Sequence, residues 1–283
     1  MINNGNNLLP TKEDIIHFEE KGWYQSRKIF SDYEIQKAIE GVDEFYKGLI
    51  DFPLKKIDGL ANDNNENLII RNNEFVTLQK LAFRNLGWHK TLVETAKIFM
   101  NTDKVRLFAD SLVTKYPSHS EKKGIVGWHS DKAYWPTCSS NKLLTIWIPL
   151  QDVNIDMGPI VHIDGSHKWN QEELKQFFSF NSQDLNSLKE YLNSKNIEFK
   201  MTPMILKKGC ISIHSCHTIH SSSINTSNNK RSVIAVHLQD HDNHYQEAFK
   251  PNGEKIVIGY DKICAKDENG NPNYSDPKLF PEL

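Results

Sequence analysis

Residues 127–131 read Gly-Trp-His-Ser-Asp, and this stretch places an imidazole and a carboxylate two positions apart. On an extended strand, residues i and i+2 point to the same face, so His129 and Asp131 can be directed at one point. Such a pair can bind a metal ion. A site that keeps open coordination positions needs at least one further ligand, which is commonly a second histidine. The rest of the sequence is therefore searched for that histidine.

The length and composition favour a protein with a sizeable hydrophobic core. The chain has 283 residues, of which 38% are hydrophobic and 10% aromatic. β-Barrels and sandwiches of this size commonly form one domain, so we expect residues 1–283 to fold as a single domain. The formal net charge is −2, which leaves no basic excess to neutralise phosphates and argues against nucleic acid as a partner.

The cysteines and the apolar runs bear on the cellular compartment. None of the four cysteines forms a Cys-x-x-Cys pair, which favours reduced thiols over a zinc knuckle or a disulfide framework. The first residues lack the basic and apolar regions of a signal peptide. No apolar run reaches the ~18 residues of a membrane span. We therefore expect a cytoplasmic protein without a membrane partner.

Helix signals dominate the N-terminal part of the chain, about residues 11–101. A first helix is predicted from Thr11 to Lys21, where Gly22 ends it. Ser31 and Glu34 have the spacing of a capping box, which predicts a second helix to about residue 49. A third helix is predicted over about residues 88–100.

Strand signals follow, over a core of about residues 104–240. The principal candidates are residues 105–116, 142–149, 159–163, 209–214 and 232–238, with shorter ones at 23–30 and 68–70. Residues 171–193 read as a polar helical insertion, and residues 241–283 as a loop-rich tail. Helices followed by many short strands predict a mainly β fold with flanking helices.

A second metal-binding histidine is available at His220. Arg231 lies eleven residues beyond it. An arginine one strand past a metal-binding histidine can hold the far carboxylate of a dicarboxylate that chelates the metal, because its planar fork matches a carboxylate. Ser222 can face the same way as His220 and donate its hydroxyl. His214 and His217 lie close by in sequence and are rival ligands. Two histidines and one carboxylate form the facial triad of non-haem Fe(II) oxygenases.

Three stretches of the chain occur in a characteristic order. The first is the His-x-Asp of residues 128–131. The second, residues 144–167, is similar to a W-x-x-L, N-G-x-L and P-G-S-H run, with Met157 and Asp164 replacing the usual Asn and Pro. The third, residues 220–231, is similar to H-x-S-x-x-N-x-S followed by Arg. Together they resemble the phytanoyl-CoA dioxygenase family of Fe(II)/2-oxoglutarate oxygenases.

The resemblance covers about residues 11–240 and carries expectations for the fold and the metal. It implies a double-stranded β-helix, which is a jelly roll of the cupin-like kind. It also implies His129, Asp131 and His220 as the ligands of Fe(II). His220 is preferred over its two rivals because the serine, asparagine and arginine positions of the family pattern are in register with it.

The resemblance also implies how 2-oxoglutarate binds. Arg231 and Ser222 correspond to the residues that hold its carboxylate, and Trp147 matches a family tryptophan that lines the cofactor pocket. A core aromatic on a central strand is the other interpretation of Trp147. His162 alternates with apolar neighbours and reads as a structural residue.

The residues around the His-x-Asp pair are candidates for the substrate mouth. These are Trp128, Lys132, Tyr134 and Trp135, for which packing at the rim is an equal alternative. The expected activity is an Fe(II)- and 2-oxoglutarate-dependent dioxygenase that uses O2 and hydroxylates a C–H bond of a small molecule. The alternatives are a zinc-type metallohydrolase and a non-catalytic jelly-roll binding protein. A halogenase of this fold needs the carboxylate position empty, so Asp131 argues against it.

Overall fold

The computed structural model describes residues 8–54, 60–63, 68–118 and 124–283. Lys122 and Lys123, which the sequence suggests are solvated charges, lie outside the described residues. The α-helices are α1 (Lys12–Lys21), α2 (Asp32–Tyr46), α3 (Val76–Gln79), α4 (Leu81–Gly87), α5 (Lys90–Met100), α6 (Asp131–Tyr134), α7 (Ser187–Ser194) and α8 (Gly259–Ile263). No helix in these ranges is long and apolar enough to cross a membrane.

The predicted helix starts are confirmed by their capping geometry. Thr11 accepts a hydrogen bond from the Asp14 amide, and the Asp14 carboxylate accepts one from the Thr11 amide, which closes a capping box. Ser31 and Glu34 form the same reciprocal pair at the start of α2. α1 ends at Gly22, whose φ of 78° is the left-handed conformation that glycine adopts without strain.

Two short helices, α3 and α4, precede α5 and are absent from the sequence prediction. Phe75, immediately before α3, has a φ of 53°, which is uncommon for a bulky residue. Its side chain is fully buried, and its amide donates to the Asp110 carbonyl oxygen over 2.8 Å. Tertiary contacts therefore determine the chain direction here, so local propensity gave no signal.

The strands form two antiparallel sheets. They are β1 (Trp23–Gln25), β2 (Ile70–Glu74), β3 (Val105–Lys115), β4 (Val126–His129), β5 (Leu143–Pro149), β6 (Ile160–Ile163), β7 (Met201–Pro203), β8 (Ser212–Ser215), β9 (His220–Ser222) and β10 (Arg231–Asp240). The first sheet has the order β1-β8-β5-β10-β3-β2, and the second has the order β4-β9-β6-β7. The predicted fold class, a mainly β jelly roll with flanking helices, is confirmed.

The principal hydrophobic cluster joins the helices, the first sheet and the C-terminal tail. Phe45 of α2, Leu92 of α5 and Ile234 of β10 are buried in the same cluster as Tyr274 and Phe280 of the tail. The tail is mostly loop, as expected, but these two aromatic side chains and the short α8 bind it to the first sheet. Burial of side chains of this size stabilises the fold by about 1.5–3 kcal/mol each.

The insertion at residues 171–193 is less helical than its sequence predicts. Only the turn Lys175–Phe177 and α7 are helical. Between them the chain runs beside β4, where the Ser179 amide donates to the Trp128 carbonyl and the Gly127 amide donates to the Phe180 carbonyl. A Cβ on Gly127 would lie 2.1 Å from the Ser179 carbonyl oxygen, so glycine permits this close approach.

Candidate active site

Histidines lie side by side on neighbouring strands of the second sheet. His129 on β4 and His162 on β6 are both register partners of His220 on β9. Directly paired residues point to the same face of a sheet, so the three imidazoles form one row. The rings of His129 and His220 have their centroids 4.1 Å apart, and both line an interior cavity.

Asp131 does not lie on a strand, although the sequence suggested that it shares one with His129. β4 ends at His129, Ser130 is extended, and Asp131 is the first residue of α6. Its Oδ1 nevertheless lies 3.9 Å from His129 Nε2 and 3.6 Å from His220 Nε2. The three buried side chains present ligand atoms within 4.8 Å of one another, as a metal site requires.

The tautomers of the two imidazoles are determined by backbone carbonyl oxygens. His129 Nδ1 donates to the Gly127 carbonyl over 2.8 Å, and His220 Nδ1 donates to the Thr218 carbonyl over 2.9 Å. A carbonyl oxygen can only accept, so Nδ1 carries the proton in each ring. Each Nε2 therefore directs a lone pair toward Asp131, and second-sphere bonds of this kind orient metal-binding histidines.

The second carboxylate oxygen of Asp131 is held from the first sheet. Thr145 donates its hydroxyl to Oδ2 over 2.5 Å, and His214 Nε2 donates to the same oxygen over 3.2 Å. Thr145 in turn accepts from Nδ1 of His237 over 2.7 Å. These contacts fix the orientation of the carboxylate. His214, which the sequence left as a rival ligand, faces Oδ2. It is not part of the group of three ligand atoms that His129, Asp131 and His220 form.

The charges of the three residues suit a metal ion. Burial raises the pKa of the Asp131 carboxyl, but the neighbouring imidazoles, His220 first, outweigh burial and hold that pKa well below its usual range. Burial lowers the pKa of His129 and lowers that of His220 well below its usual range. Near neutral pH the site therefore offers one carboxylate and two neutral imidazoles, the protonation states that bind metal.

Two buried cations lie beside this site. Arg231 on β10 is the register partner of Lys115 on β3, and both side chains are at most 3% exposed. Lys115 Nζ donates to Ser222 Oγ over 2.7 Å and to the Ser223 carbonyl over 2.6 Å. Arg231 lies over the ring of Trp147, with Cζ 5.2 Å from the ring centroid.

Both cations lack a counter-charge in the described part of the chain. Neither Arg231 nor Lys115 forms an ion pair there, and Arg231 Nε and Nη1 have no hydrogen-bond partner. Burial lowers the pKa of Arg231 to about 10, and burial together with Arg231 lowers that of Lys115 well below its usual range. Buried charges are normally paired, so this end of the cavity suits an anion.

One cavity of about 370 Å³ is lined both by Arg231 and by the candidate metal ligands His129, Asp131 and His220. Ser222 and Trp147, the other two residues predicted to bind the cofactor, also line it. Tyr134 and Phe180 are both about 40% exposed and lie at its mouth, where the Phe180 amide donates to the Tyr134 hydroxyl. The ring of Phe180 lies 5.3 Å from that of His129, so the insertion covers the metal side of the cavity.

Two of the four residues predicted at the substrate mouth lie elsewhere. Tyr134 and Trp135 line the cavity, but Trp128 and Lys132 do not. Trp128 is buried in a separate hydrophobic cluster and donates from Nε1 to the Leu185 carbonyl. Lys132 donates from Nζ to the carbonyls of Cys138 and Ser140. Trp128 lies on β4 next to His129, and strand alternation turns it to the opposite face of the sheet. Lys132 lies in α6, which directs it away from the cavity.

The remaining histidines do not contribute to the three-atom group. His217 is outside the cavity lining, and its Nε2 contacts Asn141 Oδ1 at 3.1 Å. His162 is completely buried behind His220 and stacks near Trp23, in agreement with the structural interpretation. Asn225, part of the third sequence motif, donates to the Lys115 and Asn229 carbonyls and so fixes the connection that leads into Arg231.

The fold and the site define a class of protein: a jelly roll with a buried His/Asp/His group beside a cationic pocket. Solved structures share this fold at low sequence identity. The non-heme alpha ketoglutarate dependent carbocyclase SnoK from nogalamycin biosynthesis superposes with a TM-score of 0.71 at 19% identity, covering 98% of this chain and 97% of that one. EctD from S. alaskensis, solved with 2-oxoglutarate and 5-hydroxyectoine, has a TM-score of 0.69 at 18% identity, covering 90% and 84%.

Sequence comparison identifies the family. The family model for phytanoyl-CoA dioxygenase (PhyH) matches residues 18–233, and the chain belongs to this family. The peroxisomal phytanoyl-CoA dioxygenase of Bos taurus is 22% identical over 93% of this chain and 81% of its own length. The human enzyme of the same name is 21% identical over 90% and 76%. The family consists of Fe(II)- and 2-oxoglutarate-dependent oxygenases, so this chain is an oxidoreductase of that kind.

The residues present fit both groups that the family uses. Two imidazoles and one carboxylate are the donor set of non-haem Fe(II), and their tautomers leave the donor atoms free. The unpartnered nitrogen atoms of Arg231 fit a carboxylate of 2-oxoglutarate, which a guanidinium can bind in a bidentate manner. Lys115, which no sequence motif indicates, does not line the cavity itself but donates to Ser222, which does.

Proposed function

We propose that this protein hydroxylates a C–H bond of a small-molecule metabolite or natural-product intermediate. The observation that carries the proposal is the pair of unpaired buried cations, Arg231 and Lys115, in the same region as the His129, Asp131 and His220 group. A hydrolase would need the metal group alone. An oxygenase that consumes a dicarboxylate needs both.

Each group of residues has an assigned role. His129, Asp131 and His220 would hold Fe(II), with Thr145 and His214 fixing the carboxylate. When bound, iron would supply the activation of O2, with 2-oxoglutarate as the two-electron reductant: it takes up one oxygen atom as it becomes succinate and CO2, and the other atom is left to oxidise the substrate. Iron and the co-substrate carry that chemistry, and the protein orients the reactants and excludes water.

The anion pocket orients the co-substrate. Arg231 would bind the carboxylate that lies away from the metal, while Lys115 holds the Ser222 hydroxyl and adds a second positive charge. Because Lys115 donates to Ser222 Oγ, that hydroxyl keeps its own proton for the co-substrate carboxylate. Trp147 forms one wall of the pocket and fixes the guanidinium plane by a cation–π contact.

Two aromatic side chains at the mouth of the cavity would limit the access of water once the substrate is bound. Phe180 and Tyr134 lie across the opening, and each has its ring near the imidazole of His129. A substrate that enters past these rings would displace solvent from the metal side. We also propose that the chain acts as one domain in the cytoplasm. The joint burial of helices, sheet and tail supports one domain, and the four free cysteines support the cytoplasm.

Release of succinate from 2-oxoglutarate tests the oxygenase activity, and mass spectrometry under labelled O2 tests hydroxylation. Hydroxylation places one oxygen atom from O2 in the product, whereas ring closure or epimerisation leaves none. Asp131→Ala removes the carboxylate ligand and should abolish turnover. Full activity of this variant would remove Asp131 from the metal site, and a product without labelled oxygen would exclude hydroxylation.

A further inference from the structure

We infer that the substrate carries a positively charged nitrogen group, which Glu74 recognises at the end of the cavity opposite the anion pocket. The inference rests on the proposed function, because it assumes that 2-oxoglutarate occupies the Arg231 end. Glu74 is half-buried on the edge strand β2 and lines the cavity together with Tyr260 of the tail.

The sheet register places Glu74 away from the cofactor residues. Glu74 pairs with Ser111, Ser111 with Ala235, and Ala235 with Trp147, so these four residues form one row across the first sheet. All four line the cavity. With strands ~4.8 Å apart, the row is roughly 14 Å long, and Glu74 and Trp147 lie at its two ends. Trp147 belongs to the anion pocket, so Glu74 faces the space left for the substrate.

Glu74 is held in position but is not neutralised in the described part of the chain. Its Oε1 accepts from the Tyr260 hydroxyl over 2.7 Å, and its Oε2 accepts from the Ala61 amide over 2.6 Å. No ion pair there includes Glu74. A carboxylate has about four acceptor positions, so two remain for a ligand.

The backbone next to Glu74 supports a functional placement. Phe75 adopts the left-handed conformation at a buried, bulky position, which is costly for a residue with a Cβ. Asp110 fixes this turn, since its buried carboxylate accepts from both the Thr77 amide and the Thr77 hydroxyl. Conformations of this kind cluster at binding sites, where the surrounding structure holds them in place.

The surroundings of Glu74 favour a small cation over other ligands. Tyr260, Trp135, Tyr134 and Phe180 contribute aromatic surface to the same cavity, and aromatic faces attract ammonium groups. The volume of about 370 Å³ is at the small end of ligand pockets and must also hold 2-oxoglutarate. An amine of amino-acid size fits this space and charge. The phosphates of an acyl-CoA would find no favourable charge at Glu74.

Isosteric probes test the charge preference without knowledge of the substrate. Choline and 3,3-dimethylbutan-1-ol have the same shape and differ in charge, and 3,3-dimethylbutanoate supplies the anion. Their affinities are measured by calorimetry or ligand-observed NMR on protein loaded with Ni(II) and 2-oxoglutarate. We expect choline to bind about fivefold or more tightly than the alcohol, and Glu74→Gln to abolish the difference.

Three controls separate the charge of Glu74 from other effects. Glu190→Gln makes the same change in net charge on the exposed face of α7 and should keep the preference. Tyr260→Phe removes one hydrogen bond to Glu74 but keeps the carboxylate, and should keep the preference too. Should Glu74→Gln fail to fold, the comparison of choline with the alcohol in the unaltered protein decides.

The outcomes distinguish this inference from the proposed function. Three results would overturn the inference. They are equal affinity for choline and the alcohol, no choline binding at millimolar concentration, and a preference for choline that survives Glu74→Gln. 2-Oxoglutarate binding is measured in the same samples. If the unaltered protein failed to bind 2-oxoglutarate, the proposed function would fail instead, whatever the choline result.

Discussion

Lys115 and Arg231 are register partners on adjacent strands, and both of their charged side chains are buried without an acidic partner in the described residues. Two like charges side by side in a protein interior are unfavourable unless a ligand supplies the opposite charge. Under the proposed function, the dicarboxylate co-substrate would supply that opposite charge and favour the charged form of both side chains.

Lys115→Met should weaken 2-oxoglutarate binding while leaving the metal site intact. The variant keeps most of the side-chain volume but loses the charge and the hydrogen bond to Ser222. Hydrogen bonds to charged groups contribute about 1.5–3 kcal/mol, which is roughly 10- to 150-fold in affinity. Anaerobic titration with 2-oxoglutarate measures the change. Lys230→Met is the matched control, because Lys230 is exposed beside Arg231 and pairs with Asp43.

Arg231→Ala should have a larger effect on the same titration. Removing one partner of a buried charged pair commonly costs about 2–5 kcal/mol, or roughly 30- to 4000-fold in affinity. Arg231→Lys should reduce the affinity by an intermediate amount, since it keeps the positive charge but loses the planar guanidinium that can bind a carboxylate in a bidentate manner. The charge-transfer band of the Fe(II)–2-oxoglutarate complex is the readout, and Fe(II) affinity should be nearly unchanged. An unaltered titration curve for Arg231→Ala would remove Arg231 from the co-substrate site.

The sequence motifs indicated which residues come together at the candidate metal site, but not the cavity around them. His129, Asp131, His220 and Arg231 belong to ordered motifs, because their chemistry demands particular residue types at short spacing. Lys115 belongs to no motif, and the sequence does not show that it lies opposite Arg231 on the neighbouring strand.

The residues that line the mouth and the Glu74 end of the cavity come from distant parts of the chain. Glu74 ends an edge strand, Phe180 belongs to the insertion and Tyr260 to the tail, and tertiary packing alone brings them together. None belongs to a motif with a recognisable spacing. The sequence also predicted helix where Ser179 and Phe180 instead form backbone hydrogen bonds with β4, a tertiary contact that the local helical signal does not contain.

The metal should stay bound below the usual pKa of histidine. Burial lowers the pKa values of His129 and His220, so both imidazoles remain neutral ligands as the pH falls below about 6.5. In the metal-free protein the unfolded chain binds more protons than the folded one in this range. The free energy of unfolding should therefore fall as the pH drops through about 6.5. Each unit by which folding lowers the pKa of a histidine contributes about 1.4 kcal/mol to this fall.

Thermal unfolding of metal-free protein between neutral pH and mildly acidic pH measures this dependence. His220→Ala should make the curve less steep, because it removes one of the buried histidines whose pKa is lowered, a set that also includes His129, His162 and His237. His241→Gln is the control, since His241 is exposed and distant from the site, and it should leave the curve unchanged. A curve with equal slope in all three proteins would contradict the assignment.

Thr145→Val should reduce metal affinity without touching a metal ligand. The variant keeps the shape of the side chain but removes the hydroxyl that donates to Asp131 Oδ2. Loss of such an outer-sphere partner commonly costs about 10- to 100-fold in metal affinity. Thr145→Ser keeps the hydroxyl and should restore most of the affinity. Titration with Co(II) or Ni(II) gives the constants, and equal affinities for the valine and serine variants would exclude this role.

The three clustered histidines should behave differently when each is replaced by alanine. His220→Ala removes a ligand atom and should abolish both metal binding and turnover. His214→Ala removes only the donor to Asp131 Oδ2, so metal affinity should fall about 10- to 100-fold while turnover at saturating Fe(II) stays measurable. His217→Ala should change neither quantity, because His217 contacts Asn141 outside the cavity lining. Metal titration followed by succinate assays at saturating Fe(II) separates the three classes. Loss of metal in the His217 variant alone would show that the motif has been placed in the wrong register.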